Sequence, residues 1–348
     1  MNKKINTSSI DDNVQFVKVA DSTFVDLDYF SSIEHCVATN KNLNNCYIFY
    51  NDAKAILVSI EAKAFFKYAL FLSEVQLLND DFKKNDCFLT SVSRILHKDF
   101  GVQWIAQTPT HCIYKELPDG AEAIPFATYR LDLSRSEEEL FSQLNSKHRN
   151  VIKRAMRENI NVKFGGLDLV DDYVRMDAET WKRSNLIARN VMYYKSLLEH
   201  SKKCFVAIAY DSLGIPQAGA IIPYTRKTAY YLHGCTKNNS VLGSANLLQW
   251  EIIKYLKNNS VKSYDFVGCR INVDEGSKYQ GIQRFKERFG GELVRGYMFR
   301  VIYSKFNYFL YKLLITIRDR KRFKDVVDQE KKKWPAKAFE EYKETIDR

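Results

Sequence analysis

Hydrophobic runs long enough to cross a bilayer are missing from this sequence. The nearest apolar stretch, Tyr308 to Ile317, is short and carries Lys312, where a spanning helix needs about 20 apolar residues. The opening MNKKINTSSIDDNVQF has basic residues but no apolar stretch behind them, so it does not read as a secretory signal. Cysteines number only seven, an odd count without a C-x-x-C pair, which fits poorly with a disulfide framework. A reducing cytoplasm is the simplest setting. The six histidines show no H-x-x-x-H or other ligand spacing, so no metal site is expected.

What is present points to a globular protein with an anionic partner. The chain has 348 residues, enough for one large domain or two ordinary ones, and is 45% hydrophobic and 14% aromatic. Its net charge of +11 suits RNA, nucleotide phosphates or an anionic membrane surface, without choosing among them.

The first 127 residues carry no chemical motif. Cys46 to Tyr50 and Lys54 to Ile60 read as strands joined by a turn at Asn51-Asp52, and Val102 to Ala106 as another. Ala62 to Leu72 has helical periodicity, and Phe82 to Phe100 is a stronger helix with Phe88, Val92, Ile95, Leu96 and Phe100 on one face. This is an α/β or α+β module, punctuated at its end by Pro109, Pro118 and Pro125.

The second half is more explicit. Thr128 to Leu133 alternates as a strand, and Ser134 followed by Glu137 predicts a capping box. Lys147 to Arg157 then holds Lys147, Arg149, Lys153, Arg154 and Arg157 with no acid. That pattern is either a solvated helix face or a landing patch for the phosphates of an RNA such as tRNA. Asp168 to Arg183 and Arg189 to His200 read as helices, the second placing Arg189 and Tyr193 on one face. Cys204 to Tyr210, Gln217 to Tyr224 and Ala229 to Cys235 form an antiparallel meander. His233 and Cys235 share a face of it, but a strand cysteine is usually a small core residue. Next comes Ser240-Val-Leu-Gly243-Ser-Ala245, opening a helix. It is a degenerate copy of the Q/R-x-x-G-x-G/A loop that binds the CoA pyrophosphate in acetyltransferases, with Ser in place of the basic or amide residue.

The stretch from Ser263 to Tyr297 organises the rest. It reads as a strand (Tyr264 to Val267), a Gly-containing loop, a helix from Ile282 to Phe289, a Gly290-Gly291 break and a last strand. Ile282, Phe285 and Phe289 fall on one helical face, with Lys286 one residue beyond a core Phe. From Tyr303 to Lys324 the chain carries seven basic residues and one acid on a helix that suits packing on the first domain, a membrane surface or RNA.

The pairing of YDFVG with GIQRFKERFGG resembles the C-terminal signature of the FemABX family of peptidoglycan aminoacyltransferases. Thr128 to Gly165 and Gly243 to Phe266 are similar to two further parts of that family, in its order; together they cover about half the chain. The resemblance implies an α/β (α+β) fold of two GNAT (acyl-CoA N-acyltransferase-like) domains in tandem. These would be residues 1–127 and 128–302, with a C-terminal helical segment, 303–348, returning to the first. It implies transfer of an amino acid from aminoacyl-tRNA to the amine of a cell-wall precursor, a UDP-MurNAc-peptide or lipid II, with no cofactor. Lys286 would stabilise the oxyanion, and Asp265 is a weaker candidate for orienting or deprotonating the amine. Arg189, Tyr193 and Tyr194 would hold the precursor's diphosphate and sugar. The expected protein is a cytoplasmic monomer, with peripheral contact at the inner face of the membrane as one further expectation. An acyl-CoA-dependent N-acyltransferase acting on an amino sugar or other amine, and a non-catalytic binding version of the fold, stay open beside it.

Overall fold

The computed structural model of the chain describes residues 13–24, 27–79, 87–184, 188–319 and 325–347. After strand β1 (Gln15–Lys18) and a short helix α1 (Ile33–Ala38) come β2 (Cys46–Tyr50), β3 (Lys54–Lys63), β4 (Phe66–Phe71) and β5 (Gln76–Leu77). Helix α2 (Phe88–Lys98), β6 (Trp104–Ile105) and the long β7 (Ala121–Asp132) follow, then helices α3 (Glu137–Gln143) and α4 (Ser146–Arg157). Strand β8 (Asn161–Gly165) leads to α5 (Val170–Arg183), α6 (Val191–Glu199), β9 (Cys204–Tyr210) and β10 (Pro216–Pro223). Two short strands, β11 (Thr228–Tyr230) and β12 (His233–Thr236), precede α7 (Ser244–Asn258), β13 (Ser263–Asp265) and α8 (Lys278–Glu287). The chain closes with β14 (Glu292–Ile302), α9 (Lys305–Asp319), α10 (Val326–Glu330) and α11 (Ala336–Asp347).

The chain divides into two compact units, one of Met1–Ile33, Lys41–Phe126 and Arg295–Arg348, the other of Glu34–Asn40 and Ala127–Val294. In the first unit β1, β2, β3 and β4 lie side by side antiparallel, β4 pairs with β6 in parallel, and β6 pairs with β14. Phe49, Ile56, Val58 and Phe71 pack there with Phe88, Val92 and Leu96 of α2 and with Phe299 of β14. Asn51 makes the β2–β3 turn by accepting the amides of Ala53 and Lys54 on its side chain.

In the second unit a four-stranded sheet runs β12-β10-β9-β8. All seven residues of β9 are buried, and they alternate between two cores. Phe205, Ala207 and Ala209 face Ile152 of α4 and Leu247 and Leu248 of α7. Val206, Ile208 and Tyr210 face Tyr173 and Met176 of α5 and Leu197 of α6. A second group of strands, β7, β13 and β11, pairs antiparallel and then parallel.

The structure departs from the sequence reading at several points. Ala62 to Leu72 is not a helix: Ala64 turns the chain at φ 52 and β4 pairs with β3 along its length. The stretch from Ala229 to Cys235 is two strands, not one, because β11 pairs with β13 and β12 with β10. The capping box is Ser136 with Glu139. Ser134 is already engaged, its hydroxyl and amide both held by the Asp132 carboxylate. The start of the helix expected from Phe82 lies outside the described residues, as do Arg320 to Lys324 of the basic tail.

Candidate active site

The centre of the second unit is built where β13 ends. Asp265 closes that strand, and its carboxylate is 1% exposed. Oδ1 accepts the Thr128 hydroxyl and, at 2.7 Å, the amide of Val267; Oδ2 accepts Nε and Nη2 of Arg130 at 3.0 and 2.8 Å. Thr128 and Arg130 are two apart on β7 and so present to the same side of it. With the carboxylate filled in this way, Asp265 acts on the backbone that follows it. Val267 and Gly268 are both left-handed, at φ 43 and 35. That conformation suits Gly but is costly for a β-branched Val, so its neighbours must impose it. The Asp265 bond to the Val267 amide is one of them.

The two left-handed residues aim their carbonyls at one cation. Lys286, on α8, donates to the carbonyl of Val267 and, at 2.8 Å, to that of Gly268. The sequence reading put Ile282 in the core and Lys286 at its edge. Instead Ile282 is 41% exposed and Lys286 is 8% exposed, so the helix turns its lysine inward. Burial pulls the Lys286 ammonium down to about 8 from its ordinary 10.5, while Cys269 and Asp265 oppose that fall. The Ser277 hydroxyl caps α8 by accepting the amide of Gln280, and Phe289 stacks on Phe266 with ring centroids 5.2 Å apart.

The far end of α8 is gripped by α4 and the turn before it. His148 Nε2 lies 3.1 Å from the Phe285 carbonyl, and the Asn145 amide donates to the Arg288 carbonyl at 2.9 Å. Burial lowers the His148 imidazole to about 4, so it sits there neutral and donates that bond. Sequence reasoning missed Thr128, Arg130 and His148. The period-two spacing in TYR signals the first pair, but nothing in the sequence joins His148 to a carbonyl 137 residues on.

The basic run on α4 divides by environment. Lys147, Lys153, Arg154 and Arg157 are exposed. Arg149 is turned inward, donating to the carbonyls of Ser142 and Leu144 and so closing the C-terminal end of α3. Arg154 pairs with Glu158 at 2.7 Å.

A second cluster surrounds α6. Arg189 does not share a helical face with Tyr193, because the helix begins only after Asn190, whose side chain caps it. The two still meet: the Arg189 guanidinium lies 5.0 Å from the centre of the Tyr193 ring and 5.7 Å from that of Trp181. Tyr193 Oη is 3.0 Å from His233 Nε2. Tyr194 is 1% exposed and donates to Asp177 at 2.6 Å. Burial raises both the Asp177 carboxyl and the Tyr194 phenol. Cys235 is buried, its thiol is pushed well up by that burial, and it faces the Tyr173 carbonyl. It is the core residue that a strand cysteine usually is. Lys278, opening α8, donates to Ser184 just after α5 at 2.5 Å and so brings α8 toward this cluster.

The loop that opens α7 is tightly packed. Gly243 is left-handed at φ 90, and a Cβ on it would lie 2.3 Å from the Val151 carbonyl of α4. The backbone of α4 is packed directly against the start of α7 at this glycine. No cluster of side chains among the described residues could hold a metal ion.

Comparison with known proteins follows the same lines. The model of the FemAB family matches residues 119–213 and 204–316. Two curated relatives named lipid II:glycine glycyltransferase match over 79 residues. That from Staphylococcus haemolyticus is 32% identical and that from Staphylococcus epidermidis (strain ATCC 12228 / FDA PCI 1200) 30%. The match takes in 22% of this chain and only 19% of each relative. Among solved structures, that of FemX superposes with a TM-score of 0.62 at 14% identity, covering 81% of this chain and 93% of that one. The C-terminal domain of a putative lysylphosphatidylglycerol synthetase from Agrobacterium fabrum superposes at 0.50, with 12% identity and 81% and 95% covered. The expected α/β fold class is thus the one found.

Proposed function

The chain belongs to the FemAB family, and from that premise we propose that it is an aminoacyltransferase. It would carry an amino acid from aminoacyl-tRNA to an amine of a cell-wall precursor, UDP-linked or lipid-linked. In this reading the two compact units are the family's two GNAT-like domains. The curated relatives, whose name states glycyl transfer to lipid II, support the precursor as acceptor. The single observation that carries the chemistry is the buried Lys286 ammonium on the Val267 and Gly268 carbonyls.

An aminoacyl ester is already activated. The acceptor nitrogen attacks the ester carbonyl, a C–N bond forms, and the carbonyl oxygen takes negative charge. When the intermediate collapses, the ester C–O bond breaks. The ribose oxygen leaves as a hydroxyl, taking the proton that the amine gives up. An ammonium has three N–H groups. Two of those on Lys286 are taken by carbonyls, and in this reading the third serves the developing oxyanion. Asp265 is a positioning residue, holding the turn that holds the lysine. Arg189 and Tyr193 offer a planar cation beside an aromatic face, suited to the precursor's diphosphate and sugar. Tyr194 supports Tyr193 from within the core.

Ser240, standing where the CoA-binding loop has a basic or amide residue, favours aminoacyl-tRNA over acyl-CoA as donor. The deciding experiment offers the enzyme labelled aminoacyl-tRNA or labelled acyl-CoA with a cell-wall precursor. Label is expected on the precursor from the tRNA alone; transfer from acyl-CoA instead would reject the reading.

A further inference from the structure

Helix α9 is apolar on two sides, and among the described residues only one of them is used by the fold. Its inner side carries Tyr308, 9% exposed, and Tyr311. They pack on Phe66, Tyr68 and Trp104. On its outer side Phe306, Phe309, Leu313 and Ile317 are 73%, 66%, 42% and 64% exposed. Their spacing of three, four and four places them in one stripe along the helix. Lys305 and Arg318 stand at the two edges of that stripe, and no acidic residue occurs between them in sequence. The β3–β4 hairpin adds to it. Phe65 at its tip is 61% exposed. Its carbonyl accepts from Gln103, whose own carbonyl accepts the Ser304 amide just before α9. Lys63 is exposed on the same turn.

We propose that this face of α9, with the hairpin tip, docks the protein on an anionic lipid surface, the helix lying in the plane of the interface. An exposed apolar stripe needs an occupant. Charge selects which one. A second copy would bring Lys305, Arg318 and another +11 against the same charges, whereas anionic headgroups complement them. The helix spans Lys305–Asp319, and no helix among the described residues is long and apolar enough to cross a membrane, so it rests on the surface. The inference does not depend on the transfer reaction, since binding is read without donor or acceptor.

The test is sedimentation of the full chain with phosphatidylcholine vesicles, with and without an equal share of phosphatidylglycerol. Binding is expected with the anionic lipid and should weaken as salt rises. Phe306→Gln with Phe309→Gln should weaken it about tenfold or more, as two rings leave the apolar layer. Lys305→Glu with Arg318→Glu should abolish the preference for phosphatidylglycerol. Both pairs are exposed, so thermal stability should hold. Equal binding to the two vesicle types, or wild-type binding by the double glutamine variant, overturns the proposal. So does light scattering that shows a wild-type dimer dissolved by the glutamine variant, which would make a second copy the occupant.

Discussion

Lys286 keeps a charge against burial, and each consequence can be measured. If its ammonium stabilises the oxyanion, the interaction is made in the transition state, so Lys286→Met should lower kcat about 100-fold and leave KM nearly unchanged. The protonated form is the active one. The ratio of wild-type to Lys286→Met rate should therefore fall as pH rises through about 8; a ratio that rises there would make the lysine a base instead. Stability carries the opposite sign. The folded value of about 8 lies below the ordinary 10.5, so the fold bears the cost of the buried charge below pH 8. It sheds that cost between those values, and stability rises across the window. Thermal melts should show that rise in wild type and lose it in Lys286→Met. Asp265 tests differently. Asp265→Asn removes the buried charge that accepts from Arg130 and should cost about 2 kcal/mol in chemical denaturation, as the loss of a charged hydrogen-bond partner does. An Asp265→Asn protein that is fully stable but inactive would return Asp265 to the chemistry.

Elements set how much of this was readable. Helices α2 and α5 follow from local period, and strands β2, β3, β9 and β10 from apolar runs bounded by turn residues; α4 and α7 were legible through the family resemblance. The misreadings turn on particular partners rather than on period. Ser134 and Ser136 both begin an S-x-x-E pattern, and the bonds that Ser134 donates to Asp132 decide between them. Ile282 looked like core and Lys286 like its rim, because no local rule says that two left-handed carbonyls wait opposite the lysine. The resemblance located Lys286, Arg189 and Tyr193; their supports Thr128, Arg130, His148 and His233 come from elsewhere in the chain. Helix α4 offers a prediction at this scale. Lys147→Glu, Lys153→Glu and Arg157→Glu together should raise KM for aminoacyl-tRNA and flatten its salt dependence while sparing the precursor. Arg149→Met should lower stability without changing that slope; a salt slope untouched by the triple variant would reject α4 as a tRNA-binding face. Gly243→Ala tests the α4–α7 junction. Its φ of 90 and the Val151 carbonyl both oppose a side chain, so a loss of about 2 kcal/mol or more is expected in denaturant melts.

At the scale of the whole molecule, the order of the pieces along the chain differs from their order in the fold. The second unit takes Glu34–Asn40 and then Ala127–Val294, whereas the first waits for Arg295–Arg348. Synthesis runs from the N-terminus, so the unit that carries Lys286 has all its parts outside the ribosome first. The earlier unit must remain unfinished until β14 emerges to pair with β6. A chain stopped after Val294 should thus show a protease-resistant core from the 127–294 region, while peptides from 41–126 are cut. Equal protection of both would mean that the first unit folds without its last strand. Protection of the 127–294 region alone would mean that the unit carrying Lys286 is finished before the one whose strands come first in the sequence.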